Sequence, residues 1–217
     1  MKPTAVLFDF DGVIVDSYDC HKQAWSEAHL KTLGVDLPEC DHSQLTGKPS
    51  PVIAEFLASE AGQSEKTDEL YATKMELLLS STNTPKLLTG VFEVFSLLTK
   101  QNIPYAIISN APRAYLAQTI TALELGDIPY LGFEDYEQAK PSGDPYLKGA
   151  EKLGLPVKDH GKILVFEDSV IGVLSATDAG MIPLGIGTSA AGACLSEEGA
   201  IRIFPSLLET LDCRVYA

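Results

Sequence analysis

Hydrophobic and polar positions follow one another along this chain in two distinct patterns. Short continuous apolar runs are typical of strands buried on both faces of a parallel sheet, whereas apolar residues spaced three and four apart are typical of helices. The apolar runs predict strands at residues 6–8, 105–108, 163–166 and 182–186, with shorter strands within 130–133 and 201–204. Helices are predicted at about 91–100, 112–123, 145–153 and 169–180. This alternation predicts an α/β fold with a doubly wound parallel sheet.

The stretch from residue 17 to residue 84 has a helical pattern throughout, with no convincing strand. Asp16 and Ser17 are both suitable caps for its first helix. The predicted helices run from there to about Leu33 with Gly34 as a stop, then over 51–61 and 67–79. We therefore expect an all-helical cap domain at 17–84, inserted into an α/β core domain formed by 1–16 and 85–217.

Composition narrows the range of partners. The 217 residues are 45% hydrophobic and 21% charged, as in an ordinary globular protein, and the net charge is −14. That charge disfavours nucleic acid and anionic membranes, but a metal ion and one lysine can still attract a small anion. The four cysteines stand far apart, which indicates free thiols and a cytoplasmic location. The apolar run before Asp9 is too short for a signal peptide or a membrane span.

Polar side chains follow three of the predicted strands. They are Asp9 and Asp11, Ser109 and Asn110, and Glu167 and Asp168. Parallel strands bring their carboxyl ends to one edge of the sheet, so these groups should meet there. Oxygen ligands of this kind suit Mg²⁺, and one carboxylate could also act as a nucleophile.

Lys140 is the candidate cation for holding a phosphate at this edge, with Pro141 stiffening the backbone after it. Each of these residues also has a plainer interpretation. Asp9 and Asp11 could form an acidic turn, Lys140 could be a solvated surface lysine, and Ser109 could cap a helix or turn. The recurrence of polar groups at three strand ends favours a site over these separate explanations.

Four stretches resemble, in the expected order, the motifs of the haloacid dehalogenase-like hydrolase superfamily. They are Asp9-Phe10-Asp11-Gly12-Val13-Ile14-Val15-Asp16-Ser17, Ser109-Asn110, Lys140-Pro141, and residues 165–172 with Ala179-Gly180-Met181. The helical insert resembles the cap of the β-phosphoglucomutase and phosphoglycolate phosphatase branch, through His21-x-x-Ala24-Trp25 and Leu45-Thr46-Gly47. The resemblance implies a Rossmann-like core with the spatial strand order 5-4-1-2-3, and a cap that closes over the carboxyl edge of the sheet.

The resemblance also implies roles for the residues of the motifs. Asp9 would attack phosphorus and become an aspartyl phosphate, and Asp11 would act as general acid and then as general base. Asp168, helped by Glu167, would hold Mg²⁺ together with Asp9 and the backbone carbonyl of Asp11. The remaining groups implied to bind the phosphoryl oxygens are Ser109, the backbone at Asn110, and Lys140.

Residues of the cap and its surroundings should select the substrate. The candidates are His21, Lys74 and Arg113, with Gly47 allowing the cap loop to approach closely. Each of the three side chains could instead be an ordinary packed or solvated residue. A sugar phosphomutase of this branch would carry a phosphate-binding Arg after Gly47, but Lys48-Pro49-Ser50-Pro51 stands there.

These observations favour a Mg²⁺-dependent phosphatase that acts on small phosphorylated metabolites as a monomer or weak homodimer. A hexose-phosphate phosphomutase is the alternative enzyme, since Lys48 could partly replace the missing Arg. From other classes, a phospho-accepting receiver-like signalling domain is disfavoured by the helical insert, because a receiver needs an open site. A binding module without catalytic activity is disfavoured because every motif residue is present.

Overall fold

The computed structural model describes residues 2–38, 45–187, 194–213 and 215–216. Its strands are β1 (Ala5–Phe8), β2 (Val15–Asp16), β3 (Lys86–Leu87), β4 (Tyr105–Ile108), β5 (Tyr130–Leu131), β6 (Ile163–Glu167), β7 (Ile182–Ile186) and β8 (Arg202–Phe204). Its main helices are α1 (Tyr18–Leu33), α2 (Ser50–Glu60), α3 (Thr67–Ser80), α4 (Val91–Lys100), α5 (Arg113–Ala122), α6 (Asp144–Lys152), α7 (Val170–Asp178) and α8 (Leu207–Asp212). None of the helices within these ranges combines the length and apolarity needed to cross a bilayer.

Six strands form one sheet in the order β5-β4-β1-β6-β7-β8, and each neighbouring pair is parallel. β1 lies in the middle, where Leu7 is in register with Ala106 of β4 and Val165 of β6. The prediction of a doubly wound parallel sheet is confirmed. If the six strands of this sheet are numbered 1 to 6 in chain order, their spatial order, read from β8, is 6-5-4-1-2-3. This contains the expected order 5-4-1-2-3, and β8 is an additional strand at the edge, next to β7.

Alternate side chains of β1 enter two different hydrophobic cores, which explains why the strand reads as a continuous apolar run. Phe8 packs on one face of the sheet, where its ring stacks on Phe166 at 5.4 Å and meets Phe95 edge-on at 5.5 Å. Leu7 packs on the other face with Val165. All four residues of β1 are fully buried, so the strand holds its carboxyl end in a fixed place.

The helices α1, α2 and α3 pack on one another around a separate apolar cluster. Its buried members include Trp25, Ala28, Ala54, Leu57 and Leu70. α1 ends at Gly34, which adopts the left-handed conformation predicted for a helix stop, with φ +75°. These contacts are those of a small helical bundle, while the division into cap and core domains at 17–84 stays a prediction.

Two features at the start of the bundle were not predicted. Val15 and Asp16 pair antiparallel with Leu87 and Lys86, so a two-residue ladder joins the points where the chain leaves and re-enters the core. Ladders this short leave no periodic signal in a sequence. Ser17 occupies the cap position of α1, but its hydroxyl makes no cap hydrogen bond there. It donates to Asp11 Oδ1 at 2.5 Å instead, because the carboxylate is the stronger acceptor.

Gly90 provides a test of how tightly α4 and α8 pack. Its φ is +92°, and a Cβ at this position would lie 2.2 Å from the backbone nitrogen of Leu208. Gly90→Ala should therefore lower the free energy of unfolding by about 3 kcal/mol or more, since a left-handed penalty and a backbone clash add together. Urea denaturation measures this change.

Gly180→Ala is the matched control for that measurement. Gly180 also has a positive φ, of +69°, but no heavy atom lies within 4 Å of its ideal Cβ. Only the left-handed penalty of about 1–2 kcal/mol should remain. Equal losses in the two variants would contradict the close packing at Gly90.

Candidate active site

The first motif leaves β1 at its carboxyl end and turns sharply over the edge of the sheet. The backbone N–H of Asp9 still donates to the Phe166 carbonyl at 2.9 Å, which keeps this residue beside β6. Gly12 follows with φ +84°, and a Cβ there would lie 1.9 Å from Asp168 Oδ2. Only glycine therefore allows the turn to approach Asp168 so closely.

Lys140 lies at the centre of the polar groups on this edge. Its Nζ lies 2.6 Å from Asp9 Oδ1 and 2.5 Å from Glu167 Oε1, and it also lies within 3.0 Å of the Tyr146 hydroxyl and the Ile108 carbonyl. Only 2% of the side chain is exposed. Burial by itself would lower the pKa of Lys140, but the two carboxylates outweigh burial and raise the pKa above its ordinary value. The lysine therefore remains charged.

Glu167 is fully buried, and donors contact both of its carboxylate oxygens. Oε1 accepts from Lys140 and from the Tyr146 hydroxyl at 2.5 Å, while Oε2 accepts from the Ser169 hydroxyl at 3.0 Å. A Cβ on Gly172 would lie 1.8 Å from the Glu167 carboxyl carbon, so α7 packs directly on this side chain. Because Glu167 is itself held by these contacts, its Oε1 fixes the position of the Lys140 ammonium group.

Asp9, Glu167 and Asp168 form a cluster that could hold a metal ion, with one oxygen of each lying within 4.8 Å of the others. Burial raises the pKa of Asp9 to about 8 although Lys140 opposes the shift, and burial with the Asp9 charge raises the pKa of Asp168 well above its ordinary value. Both carboxylates thus lack sufficient positive charge nearby. Hard oxygen donors with a shortage of positive charge fit Mg²⁺.

Asp11 points away from that cluster, toward α1. Its Oδ1 accepts from the Ser17 hydroxyl at 2.5 Å and from the Tyr115 hydroxyl at 3.3 Å, and His21 Nε2 lies 3.6 Å away. Burial would raise the pKa of Asp11, but His21 and Ser17 bring it below its ordinary value. Asp9 and Asp11 are therefore two residues apart in sequence but occupy electrostatically different surroundings.

A cavity of about 290 Å³ opens over Asp9 and lies between the sheet edge and the helical bundle. The predicted site residues on its core side are Asp9, Asp11, Ser109, Asn110, Lys140 and Asp168, and those on its cap side are His21 and Gly47. Apolar residues of the bundle, among them Trp25, Ile53 and Leu57, form the opposite wall. The structure therefore brings most of the predicted site residues around one space.

Two of the predicted substrate-binding residues lie elsewhere. Lys74 is fully buried behind the cavity wall, where its Nζ donates to the Ser50 hydroxyl at 3.0 Å and burial lowers its pKa to about 8. Arg113 is exposed, and its guanidinium donates to Asp135 at 2.6 Å. Among the described residues, Ser50 and Trp25 line the cavity and lie next to Lys74, while neither Lys74 nor Arg113 lines it.

The sequence reasoning missed the tyrosines that support the site. Tyr115 contacts Asp11, and Tyr146 bridges Lys140 and Glu167. Both lie on the buried faces of amphipathic helices, a pattern that predicts core residues and gives no sign of their hydroxyl partners. The sequence predicts Ser17 as a helix cap but gives no sign of its bond to Asp11.

Comparison with known proteins identifies the class of protein that this fold and site define. The sequence profile of the haloacid dehalogenase-like hydrolases matches residues 6–186, and the chain belongs to that family. Hexitol phosphatase A of Escherichia coli (strain K12) is 32% identical over 184 residues, which cover 83% of this chain and 81% of that protein. Validoxylamine A 7'-phosphate phosphatase of Streptomyces hygroscopicus subsp. limoneus is 28% identical over 197 residues, covering 88% of this chain and 89% of that protein.

Solved structures agree on the architecture. A β-phosphoglucomutase from Clostridium difficile superposes with a TM-score of 0.82 at 19% identity, covering 100% of this chain and 97% of that chain. At this identity the likeness shows the fold alone. The Rossmann-like α/β core with helices over its edge is thus shared with that structure.

The raised pKa of Asp9 makes the stability of the metal-free protein depend on pH. Folding raises that pKa from 3.8 to about 8, so between these values the folded state binds a proton that the unfolded state has lost. The free energy of unfolding should fall as the pH rises through this window. Because Mg²⁺ competes with the proton, it should raise the urea midpoint more at about pH 8 than at about pH 5.

Sodium chloride at matched ionic strength is the control for this measurement, since it screens charge without entering the cluster. A Mg²⁺ effect of equal size at the two pH values would contradict a metal site at Asp9 and Asp168.

Proposed function

We propose that this hydrolase is a Mg²⁺-dependent phosphatase that cleaves small phosphate monoesters through an aspartyl phosphate on Asp9. One observation carries the proposal: the Asp9 carboxylate lines a cavity, contacts a buried lysine, and lies within 4.8 Å of a half-buried carboxylate, Asp168, that lines the same cavity. Phosphoryl transfer requires mainly positioning and charge neutralisation, which this arrangement offers. The curated phosphatases to which the chain is similar support the same reaction class.

In the first step Asp9 attacks phosphorus, a carboxylate O–P bond forms, and the bond from phosphorus to the alkoxide breaks. Lys140 orients the carboxylate by binding Oδ1 and offsets the charge of the phosphoryl group. Ser109 Oγ already accepts from the Ala111 N–H at 3.0 Å, so its own proton is available for a phosphoryl oxygen. When bound by Asp9 and Asp168, next to Glu167, Mg²⁺ would neutralise the negative charge on these groups.

Asp11 passes a proton to the leaving alkoxide; because His21 and Ser17 lower its pKa in the free protein, it first takes that proton from the entering phosphate monoanion. Ser17, Tyr115 and His21 all face Oδ1, which leaves Oδ2 to carry this proton. In the second step Asp11 removes a proton from the water that attacks the aspartyl phosphate, and Asp9 and inorganic phosphate are released. The roles of the two carboxylates therefore rest on their partners: Asp9 contacts Lys140 in the metal-binding cluster, whereas Asp11 faces Ser17, His21 and Tyr115.

The cap side of the cavity supports a phosphatase over a mutase. A bisphosphate intermediate would need a second strong phosphate-binding group there, and bidentate recognition requires arginine. The basic side chains among the described cap residues that line the cavity are those of His21 and of the exposed Lys22 and Lys48. Ser50, the first residue of α2, also lines the cavity, and its hydroxyl accepts from the buried Lys74. A small monophosphate fits this wall better than a sugar bisphosphate.

The proposal includes a cytoplasmic location and a monomeric or weakly dimeric state. Cys20, Cys194 and Cys213 are free thiols, which supports a reducing compartment, while Cys40 lies outside the described residues. The cap domain at 17–84 would close over the core formed by 1–16 and 85–217.

Asp9→Asn tests the covalent mechanism. The amide is a poor nucleophile of nearly the same size, so phosphate release should fall by at least about 1,000-fold while the fold is retained. Asp11→Asn should slow release by about 100-fold or more, because proton transfer is lost. Phosphate release with Mg²⁺ and circular dichroism measure the two effects.

Asp19→Asn is the control for these variants, because Asp19 is an exposed carboxylate on α1 outside the cavity. Near wild-type turnover in Asp9→Asn would rule out the aspartyl phosphate.

A panel of phosphorylated metabolites with Mg²⁺ distinguishes the two enzyme classes. The panel includes hexitol phosphates, glycerol phosphate, and β-glucose 1-phosphate with a bisphosphate primer. Release of inorganic phosphate is the result expected for a phosphatase. Isomerised hexose phosphate without phosphate release would instead establish the mutase.

A further inference from the structure

A hydrogen bond joins the catalytic edge of the core to the cap loop, which we define as residues 45–48. Asn110 Nδ2 donates to the Gly47 carbonyl at 2.8 Å, across 63 residues of sequence. Asn110 follows Ser109 at the end of β4 and is only 6% exposed. The phosphate end of the cavity and the cap loop are therefore connected through one side chain.

The orientation of that carboxamide is fixed from the opposite side. Asn110 Oδ1 accepts from the Tyr136 hydroxyl at 2.8 Å and from the Lys140 backbone N–H at 3.3 Å. The Lys140 N–H can only donate and the Gly47 carbonyl can only accept, so the oxygen must face Lys140 and Tyr136 and the NH₂ group must face the cap loop. The Tyr136 hydroxyl also lies 2.8 Å from the Ser109 carbonyl, so its single proton is shared between these two acceptors at the end of β4.

The cap loop meets a second core surface at the beginning of α7. Gly47 has φ +76°, and a Cβ on it would lie 3.0 Å from both Ile171 Cγ1 and Ser169 Oγ. The loop is thus seated between Asn110 on one side and the first turn of α7 on the other. Contact on two sides makes this a docking surface for the loop.

We propose that Tyr136 is a positioning residue that orients Asn110, so that the cap loop docks and closes the cavity over Asp9. This inference rests on the proposed function, because it assigns a task in the binding of a phosphate ester. Tyr136 lies outside the motifs that carry the family resemblance. Its hydroxyl acts on the substrate indirectly, through Asn110 and Gly47, and it also contacts the backbone carbonyl of Ser109.

Tyr136→Phe removes the hydroxyl that orients Asn110 and leaves the ring in place. With docking weakened by about one hydrogen bond, KM for the best ester of the panel should rise about fivefold, with a smaller change in kcat. Tyr105→Phe is the matched control, because that hydroxyl contacts Thr99 at 3.2 Å on the exposed surface of the core. It should leave both constants unchanged.

Trp25 gives a readout that does not depend on turnover. It is the only tryptophan in the chain, it lines the cap side of the cavity, and it is 7% exposed. A cap loop that undocks should admit acrylamide to the cavity, so the quenching constant of the metal-free protein should at least double in Tyr136→Phe. The same rise is expected in Asn110→Asp, which keeps the acceptor for Tyr136 but loses the donor to Gly47.

Wild-type quenching in both variants would overturn the inference, and so would a KM for Tyr136→Phe equal to that of Tyr105→Phe. If Tyr136→Phe fails to fold, quenching of Asn110→Asp decides the question. If no ester in the panel releases phosphate, the proposed function fails, while the quenching comparison still reports on docking.

Discussion

One buried ammonium group determines how this site can work. Lys140 is the cation that contacts the cluster of Asp9, Glu167 and Asp168 in the described structure, so one positive charge faces three carboxylates. Burying that many charges is costly unless they are paired, and the lysine pairs with only two of them. The remaining negative charge explains the raised pKa values of Asp9 and Asp168. It also explains why a divalent cation and an acidic cluster could together receive a phosphate, although the whole chain carries a charge of −14.

The sheet topology places the members of this cluster at fixed distances from one another. β1 lies between β4 and β6, so the ends of these three adjacent strands supply Asp9, Ser109 and the pair of Glu167 and Asp168. Lys140 comes from a connection further along the chain and is held by Glu167 and Tyr146. Because β1 is buried on both faces, Asp9 cannot move away from the lysine without disrupting the core. The rigidity that the reaction needs is therefore a consequence of hydrophobic packing beneath the site.

Much of this arrangement could be predicted from the sequence, because strand ends and parallel topology depend on patterns that are visible in one dimension. The continuous apolar runs predicted the sheet, and the polar residues after them identified the cluster around Asp9. The contacts that the sequence did not reveal depend on side chains that meet only after folding. In the sequence, Tyr136 and Tyr146 look like ordinary core residues. For Lys74 and Arg113, the sequence does not show whether the side chain lines the cavity, is buried behind its wall, or forms an ion pair on the surface. The ladder of β2 and β3 is too short to produce any periodicity.

That ladder has a consequence for how the protein could evolve. Asp16 and Lys86 are held side by side by the core, so the two ends of the helical insert are adjacent whatever lies between them. The entropic cost of closing the chain between those two ends rises only slowly with the length of the segment between them. A different insert could therefore replace the bundle without moving Asp9 or Lys140. The two-residue ladder thus separates the position of the core strands from the identity of the segment between residues 16 and 86.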